Sequence, residues 1–425
     1  MERIIINLCS RGLCFNDLEQ MHHVLENLRS LVFPPDRPAE TETIHILETF
    51  LKDHLQMIRF QEPNQYVLTN VTKEGCKTET TYRLSKIIGQ GGWNVAWETE
   101  NGSVLKHYHV KYHKSVGRLL VGSFFENLIN LLLTVWQDAE KIRIVTPIHH
   151  IAWDQRTKVS EPFEPIPDKV LEQISSPRDA KPFYQPNIME SRFMLSIGEK
   201  MDGDCQQLLW KKYSQERFRV ISIQAFRALQ YLQDTFQLVH NDFKLANLFY
   251  RRMDSDSETE ILIGDFGASQ MVWNGIKIYG SPDFTVRTGE RQFWKDALYY
   301  FVKYMKDLWN SKLDNSTKQN GIRYVLCLLH ATDPNNHLDY FYQGGKLPIF
   351  GFPKGTKVKD IIKWPDNPFQ DSGRLRKIDI DLPGFLDTKF IIKTMSYETD
   401  CYRSYYAAYV ATKMNYLRSV AEHSI

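Results

Sequence analysis

Leu238-Val239-His240-Asn241-Asp242-Phe243-Lys244-Leu245-Ala246-Asn247-Leu248 is the stretch on which the reading of this chain turns. Its polar side chains sit in an apolar frame running from Val239 to Leu248, and polar groups held in such a frame need partners or a task. Asp242 is placed to accept, or orient, the proton of an attacking hydroxyl. Lys244 can neutralise a transferred phosphoryl group. Asn247, five residues after Asp242, offers an amide oxygen to a magnesium ion.

Working outward, Ile261-Leu262-Ile263-Gly264-Asp265-Phe266-Gly267 is an apolar strand that ends in a carboxylate and then a glycine. A hard cation takes that kind of oxygen ligand, and magnesium usually keeps one or two carboxylates together with phosphate oxygens. Upstream, Ile88-Gly89-Gln90-Gly91-Gly92-Trp93-Asn94-Val95 lies between two expected strands. Glycines there let backbone amides approach a polyphosphate closely. By itself that cluster is weak, because glycine-rich hairpins are common. Val104-Leu105-Lys106 ends an apolar strand with a lysine that can reach phosphate as a point charge. Glu126 lies 20 residues on, in an apolar helix over 115–136, where a carboxylate needs a partner. Lys106 is its natural one. No single segment decides the matter. Lys106, Glu126, Asp242, Asn247 and Asp265 occurring in this order, each in the element the chemistry requires, carries the weight.

The rest of the chain sets the frame. A sequence of 425 residues with 24% charged and 42% hydrophobic residues is ordinary for a globular protein of two to three folding units. Its net charge of +2 calls for neither nucleic acid nor an anionic membrane as partner. Cys9, Cys14, Cys76, Cys205, Cys327 and Cys401 are scattered, which suits reduced thiols in an intracellular protein. His149-His150 reads as a strand or loop detail. The segment 119–136 is interrupted by Glu126, Asn127 and Asn130, so it is expected to be a buried helix and no membrane span.

Apolar spacing predicts helices over residues 1–75, first through Leu18, Met21, Val24, Leu25 and Leu28, then through Ile44, Leu47 and Leu51. Strands are expected from about 80 to 112, with a hairpin turn at Asn101-Gly102. A surface insertion follows over 155–187, a short strand over 193–197, a helix over 214–236 and a tyrosine-rich helix over 397–422. The expected fold class is α+β. A small antiparallel sheet with one main helix precedes a larger, mostly helical part, and a cleft between two such lobes suits a nucleotide.

Over residues 80–310 the chain resembles the eukaryotic-type protein kinases. The likeness is strongest at 240–248 and 263–267. It implies a bilobal fold, which together with the helical N-terminal extension read over 1–75 gives an N-lobe with hinge over 76–201 and a C-lobe over 202–425. It further implies ATP and magnesium, or manganese, as cofactors. Gly89, Gln90, Gly91 and Gly92 would cover the phosphates, and Lys106 and Glu126 would form a strand–helix ion pair. The backbone groups of Glu199 and Met201 would meet adenine, and Asp204 would lie near the ribose. Asp242 and Lys244 would be catalytic, with Asn247 and Asp265 holding metal. Asp296 resembles the buried aspartate that braces the catalytic loop. Lys244 matches the serine/threonine arrangement, so the implied activity is transfer of the γ-phosphate to a protein hydroxyl, in the cytoplasm or nucleus.

Departures are clear. Asn94 replaces the third glycine, Ala96 an expected valine, and Asn241 the arginine that normally clamps a phosphorylated activation loop. Ser281-Pro282-Asp283 is only loosely like Ala-Pro-Glu. A divergent member, virus-encoded and acting in a host cell or from a fast-evolving lineage, fits these changes. The alternatives are a pseudokinase or scaffold that binds nucleotide without turnover, and a small-molecule kinase of the aminoglycoside type.

Overall fold

The computed structural model describes residues 13–14, 57–62, 65–71, 77–90, 94–109, 116–153, 193–252, 259–273, 276–279, 292–333, 335–369, 375, 378, 380–382 and 384–396. The chain is a mixed α/β protein and divides into two units. One comprises residues 1–202, 264–269 and 277–285; the other comprises 203–263, 270–276 and 286–425.

The first unit is built on eight strands: β1 (Leu13–Cys14), β2 (Met57–Glu62), β3 (Gln65–Val71), β4 (Lys77–Gln90), β5 (Asn94–Thr99), β6 (Ser103–His109), β7 (Ile148–Trp153) and β8 (Phe193–Glu199). Their order in the sheet is β1-β7-β8-β6-β5-β4-β3-β2. All neighbours are antiparallel except β1 and β7. β4 is long enough to serve two partners: Lys77–Arg83 pairs with β3, and the stretch from Leu84 to Gln90 pairs with β5. β2 also approaches β7, so the sheet curls.

The turn from β5 to β6 is the expected one. Gly102 takes φ +78°, and its N–H donates to the Thr99 carbonyl at 3.0 Å. Only glycine adopts that backbone without strain. Tyr66, Leu68, Tyr82, Leu105, Leu195 and Ile197 form an apolar cluster on the sheet.

Helix α1 (Val116–Ala139) belongs to the same unit. From Asn127 to Gln137 every residue is buried, so the helix is apolar because it is enclosed. Gln137 ties its C-terminal end to the following chain. Gln137 Oε1 accepts from the N–H groups of Ile144 and Val145, both at 3.0 Å, and its Nε2 donates to the Val145 carbonyl at 3.2 Å. No helix among the described residues is long and apolar enough to cross a membrane.

The expectation of a helical N-terminal extension is corrected at residues 57–62 and 65–71, which form β2 and β3. Their conformation is decided by the edge that β4 offers, which local spacing cannot report. The helices expected around residues 18–28 and 44–51, the insertion over 155–187 and the tyrosine-rich helix over 397–422 lie outside the described residues.

The second unit is mostly helical, with a small sheet in the order β11-β10-β9, formed by β9 (Gly203–Asp204), β10 (Leu248–Arg252) and β11 (Thr259–Ile263). Helices α2 (Cys205–Lys211) and α3 (Gln215–Phe236) begin with side-chain caps: Asp204 accepts from Gln207 N and Ser214 from Arg217 N. α3 buries Phe218, Ile221, Ser222, Ala225, Phe226, Leu229 and Leu232, a three-and-four spacing that makes one apolar stripe. It packs against α4 (Trp294–Asn310) through aromatic rings. Phe218 stacks on Tyr304 at 3.7 Å, and Phe226 meets Tyr300 and Phe301 at 5.2 and 5.4 Å. α5 (Asn315–Ala331), the short α6 (Val358–Ile361) and α7 (Thr388–Ser396) complete the unit, α7 lying on α3.

Candidate functional site

In the second unit the stretch 238–248 leaves α3 as an irregular segment, makes a 3-10 turn over Leu245–Asn247 and enters β10. It is held from three sides. Val239 exchanges backbone hydrogen bonds with Gln270, both at 2.9 Å. Phe243 is fully buried against Phe226 and Tyr300. Asp296, on the first turn of α4, accepts from the N–H of His240 at 2.8 Å and from the N–H of Asn241 at 2.7 Å. Asn241 takes φ +59°, a left-handed conformation that asparagine tolerates better than arginine or other long side chains.

Asp296 is completely buried. Burial pushes its carboxyl up to about 7, while the two amide donors and the nearby Lys295 charge pull it back. The clamp is therefore a buried acid held in place by its acceptor role.

Lys244 Nζ donates to Asp242 Oδ2 at 2.8 Å. Asn247 Nδ2 donates to the same oxygen at 3.1 Å and to the Asp242 carbonyl at 3.0 Å. The Asp242 N–H in turn donates to His240 Nδ1 at 3.3 Å. Three residues that the sequence singled out thus meet at one carboxylate. Both Asn247 hydrogen bonds use its nitrogen, which leaves its amide oxygen as the atom able to take a cation. That orientation fits a magnesium ligand.

In the first unit, Glu126 of α1 comes to the Asp265-Phe266-Gly267 segment. A Cβ built on Gly267 would stand 3.1 Å from Glu126 Oε2, a tight approach, and 3.5 Å from Asp265 Oδ1, an ordinary contact, so a larger residue would press on the Glu126 carboxylate. Asp265 takes φ +64° and ψ +68°, the left-handed region, with its side chain outside any cap. A non-glycine residue there stores backbone strain of order 1–3 kcal/mol, and such residues gather at functional sites.

Lys106 sits half-buried on β6, opposite Ala96 of β5 and Ser196 of β8. The expected ion pair between Lys106 and Glu126 is not formed among the described residues. Spacing placed Glu126 on the helix but could not say which way its carboxylate turns, and it turns to Gly267.

Gly89 and Gln90 end β4, with Gly89 facing Ala96. Gly91 and Gly92 lie outside the described residues, as do residues 281–283. Glu199 ends β8, where its carboxylate meets Arg143 at 3.1 Å and its N–H donates to the Pro147 carbonyl at 3.0 Å. Met201 follows half-buried. Asp204 is occupied as the α2 cap, a structural task that the expected ribose contact did not include. Among the described residues no group of three or more His, Cys, Asp or Glu side chains is poised to hold a metal ion.

No protein-family model matches the chain, and a search of curated proteins finds no match.

The sequence did not point to the link between Glu126 and Gly267, nor to the pairing of Glu98 with Lys86 and Lys200 at 3.1 and 2.6 Å near the end of β8. A carboxylate inside an apolar helix signalled that Glu126 needed a neighbour. Nothing local named that neighbour.

Proposed function

We propose that the chain is an ATP-dependent serine/threonine protein kinase of bilobal fold, with Asp242 as the residue that takes the proton of the acceptor hydroxyl. The observation that carries this reading is the convergence of Lys244 and Asn247 on Asp242 Oδ2, beneath backbone amides clamped by Asp296. Phosphoryl transfer needs little covalent help from a protein and depends on positioning and charge neutralisation. In this reading Asp242 orients the hydroxyl and receives its proton, while Lys244 offsets charge on the transferred group. Asn247 through its oxygen, and Asp265 through its carboxylate, hold magnesium, which when bound draws charge from the phosphates. Lys106 faces the α- and β-phosphates, with Glu126 steadying the Asp265 segment in place of an ion pair to the lysine.

The missing ion pair favours a second reading, a nucleotide binder that does not turn over. One experiment separates them: purified full-length chain with labelled ATP, magnesium or manganese, and generic protein acceptors, beside Asp242→Asn and Lys106→Met. An active kinase labels serine or threonine, and each variant loses at least about a hundredfold in rate while melting at the wild-type temperature. Full activity in either variant removes that residue from the mechanism. Nucleotide-induced thermal stabilisation without transfer supports the second reading. Label found only on a small molecule points to the aminoglycoside-type alternative.

A further inference from the structure

The second unit carries a groove that the catalytic reading does not use. It has a volume of about 1030 Å³ and lies between α5 and the segment leading into α6. That size lies at the upper end of ligand pockets and leaves room for a short peptide segment. Arg323 and His330 reach it from one face of α5, seven residues apart, the two-turn spacing of a helix stripe. Lys357 and Lys359 reach it from the opposite wall. The floor is aromatic. Tyr342 and Phe352 are 4% and 2% exposed, their rings 5.7 Å apart. His330 stacks on Tyr342 at 5.9 Å, with its Nε2 2.8 Å from the phenol oxygen. The floor is therefore preformed.

The charge of the groove is one-sided. Among the described residues no Asp or Glu lines it. Arg323, Lys357 and Lys359 are exposed and have no carboxylate partner among the described residues. Elsewhere in this unit Lys354 pairs with Asp339 at 2.8 Å and Lys389 with Asp234 at 3.3 Å. In a chain of net charge +2, three uncompensated cations around one groove form a local positive field. Cations at the rim over an aromatic floor suit an extended chain that presents anionic groups outward and apolar side chains inward.

We propose that this groove docks an anionic peptide segment, with Arg323, Lys357 and Lys359 receiving its carboxylate or phosphate groups and Tyr342 and Phe352 packing its apolar side chains. The docking is independent of the phosphotransfer reading, since it needs neither nucleotide nor Asp242.

The test is fluorescence anisotropy with the full-length chain and no ATP. Three labelled peptides share one apolar backbone sequence and carry glutamates, phosphoserines or glutamines. The anionic peptides should bind at least about tenfold tighter than the glutamine peptide at low salt, and the advantage should shrink as salt screens exposed charges. Whichever anionic peptide binds tighter identifies the preferred group. Combined Arg323→Gln, Lys357→Gln and Lys359→Gln should erase the preference, with an unchanged melting temperature because all three side chains are exposed. Tyr342→Ala should weaken all three peptides alike. Equal binding of the neutral peptide, or a triple variant that retains the preference, would overturn the proposal. So would a single-stranded oligonucleotide that binds in a manner sensitive to the triple variant while the peptides do not.

Discussion

Replacing Asp296 by asparagine probes the clamp beneath the candidate catalytic loop, and the structure dictates an unusual pH dependence. The substitution preserves shape. It removes one acceptor, since an amide has a single oxygen for the two N–H groups of His240 and Asn241, which the two oxygens of the carboxyl, ionised or protonated, receive at 2.8 and 2.7 Å. One buried N–H would then face another donor, at a cost of about 2–3 kcal/mol.

An opposing effect comes from burial, which pushes the Asp296 carboxyl from the ordinary 3.8 to about 7. A folded state that holds its proton more tightly than the unfolded chain is favoured at low pH. That contribution is complete below 3.8 and is lost as pH rises through about 7. At about 1.4 kcal/mol per pH unit, the wild type loses about 3 kcal/mol between pH 5 and pH 8 through this group alone. Asp296→Asn does not titrate there, so the stability gap between the two proteins should close by that amount.

The assay is urea unfolding of both full-length proteins at several pH values from 4.5 to 8, comparing differences so that all other titrating groups cancel. At pH 4.5 the variant should be the less stable. By pH 8 the order should level or reverse. A gap that stays constant or widens with pH would refute the reasoning, because Asp296 would then be ionised throughout.

Two further stability tests examine the supports of each unit. Gln137→Leu strands the N–H groups of Ile144 and Val145, so it should lower stability by about 3 kcal/mol, read as a shift in the urea midpoint; an unchanged midpoint would remove the side chain from its role as a tie between α1 and the β7 approach. Phe226→Ala empties a fully buried site against Phe243, Tyr300 and Phe301, and should cost about 3–5 kcal/mol. Because Phe243 belongs to the loop that carries Asp242, this variant should also speed amide hydrogen exchange at 240–244, and normal protection there would argue that α4 alone holds the loop.

Much of the local structure was legible in the residues. Apolar periodicity over 214–236 marks α3, and Asn101-Gly102 marks the turn between β5 and β6. The trio Asp242, Lys244 and Asn247 was legible too, because their partners lie within five residues and a tight turn can bring only near neighbours together. The helix expected at 115–136 and the strand at 193–197 appear as α1 and β8 with somewhat longer bounds.

What depends on distant partners was not readable from spacing. Residues 65–71 became a strand because β4 offered an edge to pair with, and 57–62 then paired with that strand, so the conformation follows from cross-strand contact more than from intrinsic preference. Glu126 was expected to meet Lys106, and packing of α1 brought it to Gly267 and left Lys106 without it. The strain at Asp265 and the depth of Asp296 likewise arise only when elements far apart in sequence enclose them. The sequence by itself determined which short segments carry polar chemistry and where helices and turns begin, since those depend on neighbours a few residues away. Only the tertiary structure decided which carboxylate is buried, which is shared and which faces glycine, because desolvation and long-range contact exist only once the chain has closed around them.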